Sequence, residues 1–249
     1  MKKFFIGLCI AGLFFLAMPA FRARAAADCS GTYGAFSWTL EEGVLTVSGE
    51  GILPNYYPSN NDEGWRPYQD EITELILEEG VTGTGFMAFS ECTALERVSL
   101  PESLTVLGRY SFWNCTALEK IEIPEQVIMI EPDTFDGCLA LQEILVDPEN
   151  AVYASRDGIL YNKAVTELVL FPEGKEADPY TIPATMTHIG AGMFSGCTGI
   201  KSLVIPDHVI FLGAGAFSGC TELTEVKMAE NLGYYRIWDC GLFKYIWKK

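Results

Sequence analysis

Phe112-Trp-Asn-Cys115-Thr-Ala-Leu118-Glu-Lys-Ile121-Glu-Ile123-Pro124-Glu-Gln-Val127-Ile-Met-Ile130 decides the fold, because the chain repeats its opening phrase five times. Phe89-Ser-Glu-Cys92-Thr-Ala-Leu95 stands 23 residues before it, and Phe135-Asp-Gly-Cys138-Leu-Ala-Leu141 stands 23 after it. Phe194-Ser-Gly-Cys197-Thr-Gly-Ile200 and Phe217-Ser-Gly-Cys220-Thr-Glu-Leu223 keep the same interval. Self-similarity at a period of about 20 to 50 residues is the signature of a solenoid. A single coil cannot bury its apolar face, whereas stacked coils share one core.

Counted from each cysteine, apolar residues recur at plus 3, 6, 8, 12 and 15, and phenylalanine recurs at minus 3. After Cys197 these are Ile200, Leu203, Ile205, Val209, Leu212 and Phe217. The 6-and-8 pair alternates with polar neighbours, which is strand spacing. Proline closes that strand in Leu100-Pro101, Ile123-Pro124, Ile182-Pro183 and Ile205-Pro206, since it has no N–H to donate. A weaker extended segment covers plus 12 to plus 15, and the stretch from minus 6 to plus 3 turns the chain back.

Equivalent strands of stacked coils are expected to pair in parallel, about 4.8 Å apart. Cys92, Cys115, Cys138, Cys197 and Cys220 then form an internal column, and Cys240 takes the same slot in a shortened last unit. Stacked side chains point the same way rather than at one another, which is the wrong geometry for a disulfide. The repeat cysteines therefore read as free, buried packing residues. No Cys-x-x-Cys occurs, so the spacing does not fit zinc.

The phrase Ile-x-Ile-Pro-x-x-Val-x-x-Ile with Phe-x-x-Cys-x-x-Leu resembles the BspA-like leucine-rich repeat family. Its best copies run from Leu118 to Leu141 and from Ile200 to Leu223, and the resemblance extends over about residues 72–246. It implies an α/β-type repeat solenoid, mostly β: a right-handed superhelix with one parallel β-sheet and an N-terminal β-hairpin cap. It also implies a surface-associated bacterial protein that contacts host, matrix or microbial proteins.

The expected organisation has three parts. Residues 1–27 carry Lys2 and Lys3, an apolar run from Phe4 to Ala17 and small residues up to Ala27, the layout of a secretory signal. Residues 28–71 read as the N-terminal cap, with a hairpin over Phe36–Ser48 and the aromatics Tyr56, Tyr57, Trp65 and Tyr68 as cap packing. Residues 72–249 hold the repeats. The register breaks once, between Cys138 and Cys197, where an elongated repeat at about 147–180 adds a hairpin turning at Asp157-Gly158. There Leu168 and Leu170 read as a renewed 6-and-8 strand. The last repeat, at about 223–246, is shortened, and a strand over Phe243–Trp247 is a candidate edge for a second copy.

Loss of the leader takes Lys2, Lys3, Arg22 and Arg24 with it and moves the formal charge from −16 to −20. So acidic a surface repels phosphate backbones and anionic membranes, which excludes nucleic acid as a partner. Seven cysteines remain once Cys9 is gone, an odd number that cannot be fully paired within the chain. No transmembrane segment is expected after the leader.

Solvent-facing strand positions fall at plus 5 and plus 7. Arg97, Lys120 and Glu122 supply charge there, and Leu145, Val169 and Val204 an apolar strip. Tyr110 and Trp113 depart from the consensus and share one expected patch, with Trp238 the equivalent of Trp113 in the last unit. Aromatic residues are enriched at binding hot spots. His188 and His208 occupy different repeat positions with no matching partner pattern, and no nucleophile, phosphate-loop or metalloprotease motif occurs. The expectation is a secreted or loosely surface-associated binding module, not an enzyme, with no cofactor and no metal. Its expected partner is an extracellular protein or peptide. The alternatives are a glycan-binding or hydrolytic accessory protein and a structural module of an extracellular assembly. The chain is expected to be a monomer, with an edge-mediated dimer as the other arrangement.

Overall fold

The structure is a computed structural model and describes residues 28–58 and 64–228. The leader, the unit containing Trp238 and Cys240, and the Phe243–Trp247 segment lie outside the described residues.

Strands β1 (Cys29–Tyr33), β2 (Phe36–Glu41) and β3 (Val44–Ser48) form an antiparallel meander at the front. Phe36, Trp38 and Leu40 alternate inward along β2 while Ser37, Thr39 and Glu41 face out, as a half-buried strand requires. Glu42 and Gly43 both take positive φ at the β2–β3 turn, the backbone of a tight hairpin. β4 (Gly51–Ile52) follows, and then a 3-10 turn over Arg66–Glu71, the one helical segment among the described residues.

The coils proper carry β5 (Glu74–Leu77), β6 (Val81–Gly83), β7 (Arg97–Ser99), β8 (Val106–Leu107), β9 (Lys120–Ile123), β10 (Met129–Ile130) and β11 (Glu143–Val146). β3 hands over to parallel pairing, with Val44 opposite Glu74. From there partners are 23 residues apart: Glu74 faces Arg97, Lys120 faces Glu143, and Val106 faces Met129. The sequence period is thus the sheet register. Two parallel ladders result. The 6-and-8 strands make the expected one, in two hydrogen-bonded stretches, β3-β5-β7 and β9-β11, and the plus 12 to 15 segments make a second, ordered β10-β8-β6-β4. The turn between them starts at proline, whose carbonyl accepts from the residue three further on (Leu104 to Pro101, 3.1 Å; Val127 to Pro124, 3.3 Å).

The return stretch has left-handed backbone twice per coil. Five residues before the cysteine slot stand Met87, Tyr110, Asp133, Gly192 and Gly215, and one residue before it stand Glu91, Asn114, Gly137, Gly196 and Gly219, all with positive φ. Inside, phenylalanines stack coil on coil. Phe89–Phe112 and Phe112–Phe135 centroids lie 5.6 and 5.5 Å apart, and Trp65 closes the front of the column against Phe89 at 5.2 Å. The repeat cysteines within the described residues run beside this column, buried and unbridged.

The elongated coil is different in kind. β12 (Tyr153–Arg156) and β13 (Ile159–Asn162) form the hairpin around Asp157-Gly158, and β14 (Leu168–Leu170) pairs antiparallel with β13. Leu168 and Leu170 are therefore not a renewed parallel strand. They sit six and four residues ahead of Gly174, which stands 23 residues before Cys197 and so fills the cysteine slot. β13 is buried on both faces. Leu160 belongs to the front core, whereas Ile159 and Tyr161 belong to the rear one. The hairpin is a wall between two apolar cores rather than a longer loop around one.

Asn150 anchors the departure. It occupies the plus 12 slot that Leu104, Val127, Met186 and Val209 fill elsewhere, yet it is fully buried. Its Nδ2 donates to the carbonyls of Pro124 and Val127 (both 2.9 Å), and its Oδ1 accepts from Val152 N (2.9 Å) and Tyr153 N (2.8 Å). Behind the wall, β15 (Tyr180–Thr181), β16 (His188–Ile189), β17 (Ser202–Ile205), β18 (Phe211–Leu212) and β19 (Glu225–Met228) restore both ladders, β15-β17-β19 and β16-β18.

Candidate functional site

On the first ladder the outward charges are paired with one another. Arg97 bridges Glu74 across strands (2.9 Å) and Glu96 beside it (3.1 Å), and Lys120 reaches Glu122 (2.8 Å). All but the partly buried Glu74 are well exposed, and such surface pairs are worth about 0–1 kcal/mol, so a partner can displace them at little expense. Leu145 is half-buried and borders a depression of about 410 Å³ with Glu122, Val98 and Pro148. Val204 lies on β17 between Thr181 and Lys227. Val169 lies on β14 and faces a different cleft. The structure thus distributes Leu145, Val169 and Val204 over three places and does not join them in a strip.

The return stretch brings other residues together. Tyr110 and Trp113 meet edge to face at 6.4 Å. Phe86, from the previous coil, meets Tyr110 edge to face at 5.9 Å, and Tyr57 of the cap stacks on Phe86 at 5.4 Å. The result is an aromatic row across two coils and the cap, half-buried along its length and most open at Tyr57. Asn55 fixes its front end by accepting from Phe86 N (2.7 Å), while Tyr56 N donates to the Phe86 carbonyl (2.8 Å). Phe86 and Tyr57 were not legible as partners of Tyr110. The available signal was position: Phe86 stands six residues before Cys92 and Tyr110 five before Cys115, neighbouring slots on adjacent coils.

Arg109 closes the rear end of the row. Its guanidinium lies 4.8 Å from the Tyr110 ring centre, within cation–π range. Its Nη2 donates to Asp133 (2.8 Å), and its backbone N–H donates to Glu131 (2.7 Å). Asp133 and Glu131 also line a cleft of about 640 Å³ that opens where the coils splay around β14. Val169, Leu170, Met193 and Glu173 line it as well. Coils elsewhere are stitched here by backbone bonds, such as Asn114 N to the Asp136 carbonyl (2.9 Å). At the cleft the Glu173 carboxylate takes over and accepts from Gly137 N (2.9 Å). Burial pushes the Glu173 carboxyl above its ordinary value and nearby Asp136 adds to this, while the Gly137 bond opposes it.

The reactive residue types are placed for packing. Burial pushes the Cys92 thiol up to about 12 and raises Cys115 and Cys197 as well, which disfavours the nucleophilic thiolate. His188 pairs with the Thr187 hydroxyl (2.8 Å), and His208 with the Pro183 carbonyl (3.1 Å). Among the described residues no group of three or more His, Cys, Asp or Glu is placed to hold a metal ion. None of their helices is long and apolar enough to cross a membrane.

A family profile described as BspA type leucine rich repeat region matches residues 68–176 and 170–237, in six copies. No curated protein matches the chain. Among solved structures, a leucine-rich repeat protein from Eubacterium ventriosum is similar at 23% identity, over 80% of this chain and 72% of its own, with a TM-score of 0.52. The pneumococcal vaccine antigen PcpA is similar at 17% identity, over 82% of this chain and 70% of its own, also with a TM-score of 0.52. These likenesses carry the fold. With its register, its stacked phenylalanines and a profile that spans more than half its length, the chain belongs to the BspA type leucine-rich repeat family.

Proposed function

We propose that this chain is a secreted binding module that holds an extracellular protein, on a host, matrix or microbial surface, against the aromatic row of its front coils. The observation that carries this reading is the backbone at Tyr110. Its slot is glycine in the rear coils, Gly192 and Gly215, where φ is positive; the front coils keep side chains there at the same positive φ, Met87, Tyr110 and Asp133, and of these three Tyr110 alone is aromatic. A non-glycine residue in that region is strained by about 1–2 kcal/mol. An aromatic kept where glycine would fold more easily, and joined to Trp113, Phe86 and Tyr57, fits a contact surface better than a packing need. Partly exposed aromatics supply large contact area at low entropic expense.

The leader over residues 1–27 and the strongly acidic balance support export and an extracellular setting. The measurement is binding of the purified protein to arrays of matrix proteins and of glycans. The expected result is a protein hit that Trp113→Ala abolishes while the circular dichroism spectrum and melting temperature are retained. Glycan binding or turnover without a protein hit would overturn the reading.

A further inference from the structure

The cleft beside the aromatic row has its own chemistry. Part of the lining is acidic, with Glu131, Asp133 and Asp136, and the Glu173 carboxylate reaches in beside Asp136. The remainder is apolar, with Val169, Leu170 and Met193. At about 640 Å³ it lies within the usual range for ligand sites, about 300–1,000 Å³. It exists because β14 runs extended where every neighbouring coil turns, so the stitching between coils is missing there. The rim already holds one cation: the Arg109 guanidinium, between the Tyr110 ring and the Asp133 carboxylate. Aromatic face plus carboxylate is the chemistry that binds a guanidinium or ammonium group.

We infer that this cleft receives a lysine or arginine side chain from an extended segment of the partner protein, with the aliphatic stem against Val169, Leu170 and Met193 and the charged head among Glu131, Asp133 and Asp136. This deepens the binding-module reading and rests on it. A long basic side chain suits the mixed lining because its methylenes bury while its head stays solvated and paired. The chain's formal charge of −16 favours encounter with a basic segment over an acidic one.

The probes are two synthetic peptides of about six residues, an ordinary strand length, alternating lysine with threonine in one and glutamate with threonine in the other. Calorimetry on the full chain should show binding of the lysine peptide, weakening as salt rises, and no binding of the glutamate peptide. The D136N/E173Q variant keeps the Gly137 bond through the glutamine oxygen and should weaken the lysine peptide at least about tenfold, or about 1.4 kcal/mol. Equal binding of both peptides, binding of neither, or wild-type affinity in D136N/E173Q would overturn the inference. The two readings fail separately. Should Trp113→Ala abolish capture of an array protein that D136N/E173Q still binds fully, the aromatic row stands and the cleft does not. Should the lysine peptide bind as expected while Trp113→Ala affects no protein ligand, the cleft stands and the row does not.

Discussion

The Cys115 thiol donates to the carbonyl of Phe89, 3.3 Å away and one coil back. Cys138 does the same to Phe112 (3.2 Å) and Cys220 to Phe194 (3.0 Å). The repeat cysteine is thus more than a small apolar filler. It is a buried donor that adds a second hydrogen bond, from the next coil, to a carbonyl that already accepts a backbone N–H within its own coil (Cys92 N to the Phe89 carbonyl, 3.4 Å). Alanine fills most of the same space but donates nothing, so Cys115→Ala is expected to lower stability by about 1–2 kcal/mol. Cys115→Ser keeps a donor and should differ from the alanine variant. Urea denaturation with unchanged slope measures both.

The period, the parallel pairing and the buried cysteines were legible because each coil meets the next in one register, so 23 residues in the chain become one step in the sheet. The second ladder was visible as a weak extended segment, although the expected fold counted one sheet. The wall at β13 was not legible. Ile159, Leu160 and Tyr161 are a continuous apolar run, which does not say that alternate residues serve different cores. The strip through Leu145, Val169 and Val204 failed because Val169 was assigned a slot in the parallel ladder, whereas its strand pairs antiparallel with β13. The aromatic row was half legible: Tyr110 and Trp113 are close in sequence, but Phe86 joins them only through stacking of adjacent coils.

Asn150 is the one polar side chain in its column of core slots, and consensus reasoning would replace it with leucine. Asn150→Leu is expected to destabilise by about 3 kcal/mol, because the Val127 carbonyl and the N–H groups of Val152 and Tyr153 lose the amide together, and the Pro124 carbonyl is left with the Val127 N–H alone. Hydrogen exchange should rise first over residues 150–162, where β12 leaves the coil. An Asn150→Leu variant as stable as wild type would mean that the hairpin holds its position without the amide.

Arg66 ties the cap to the first coil. It is nearly fully buried, donates to the Met87 carbonyl and to Ser90 Oγ (2.9 Å), and lies 3.9 Å from the Tyr56 ring centre. Burial lowers its pKa, the largest influence on it. Arg66→Met retains much of the stem but strands the acceptors, so a loss of about 2–4 kcal/mol is expected. Limited proteolysis should then cut near the 64–72 segment sooner than in the rear coils.

Glu173 gives a pH dependence of definite sign. Burial raises its carboxyl pKa above the ordinary 4.5, so the folded state holds this proton more tightly than the unfolded chain does. The contribution to stability is therefore greatest below that value and is lost as pH rises through the folded pKa. Glu173→Gln does not titrate and keeps an acceptor for Gly137 N. Near pH 4 the variant and wild type should melt together, and near pH 7 the variant should melt higher. A gap of the opposite sign, or one that does not change with pH, would show that the Gly137 bond outweighs burial.

Tyr110 separates stability from binding. At φ +57 its backbone suits glycine, which occupies the same slot in Gly192 and Gly215. Tyr110→Gly removes the ring's contacts with Phe86, Trp113 and Arg109 but relieves the left-handed strain, two opposing effects of about the same size. Its stability is expected within about 1 kcal/mol of wild type. Tyr110→Ala loses the same contacts and keeps the strain, so it should be less stable than the glycine variant by about 1 kcal/mol. Tyr110→Val should be worse again, because a β-branched residue fits positive φ poorly. If the ring is there to meet a partner, glycine and alanine variants lose binding equally despite their different stabilities. Binding that followed stability across the three variants would instead make Tyr110 a packing residue and remove the main support for the aromatic row as the contact surface.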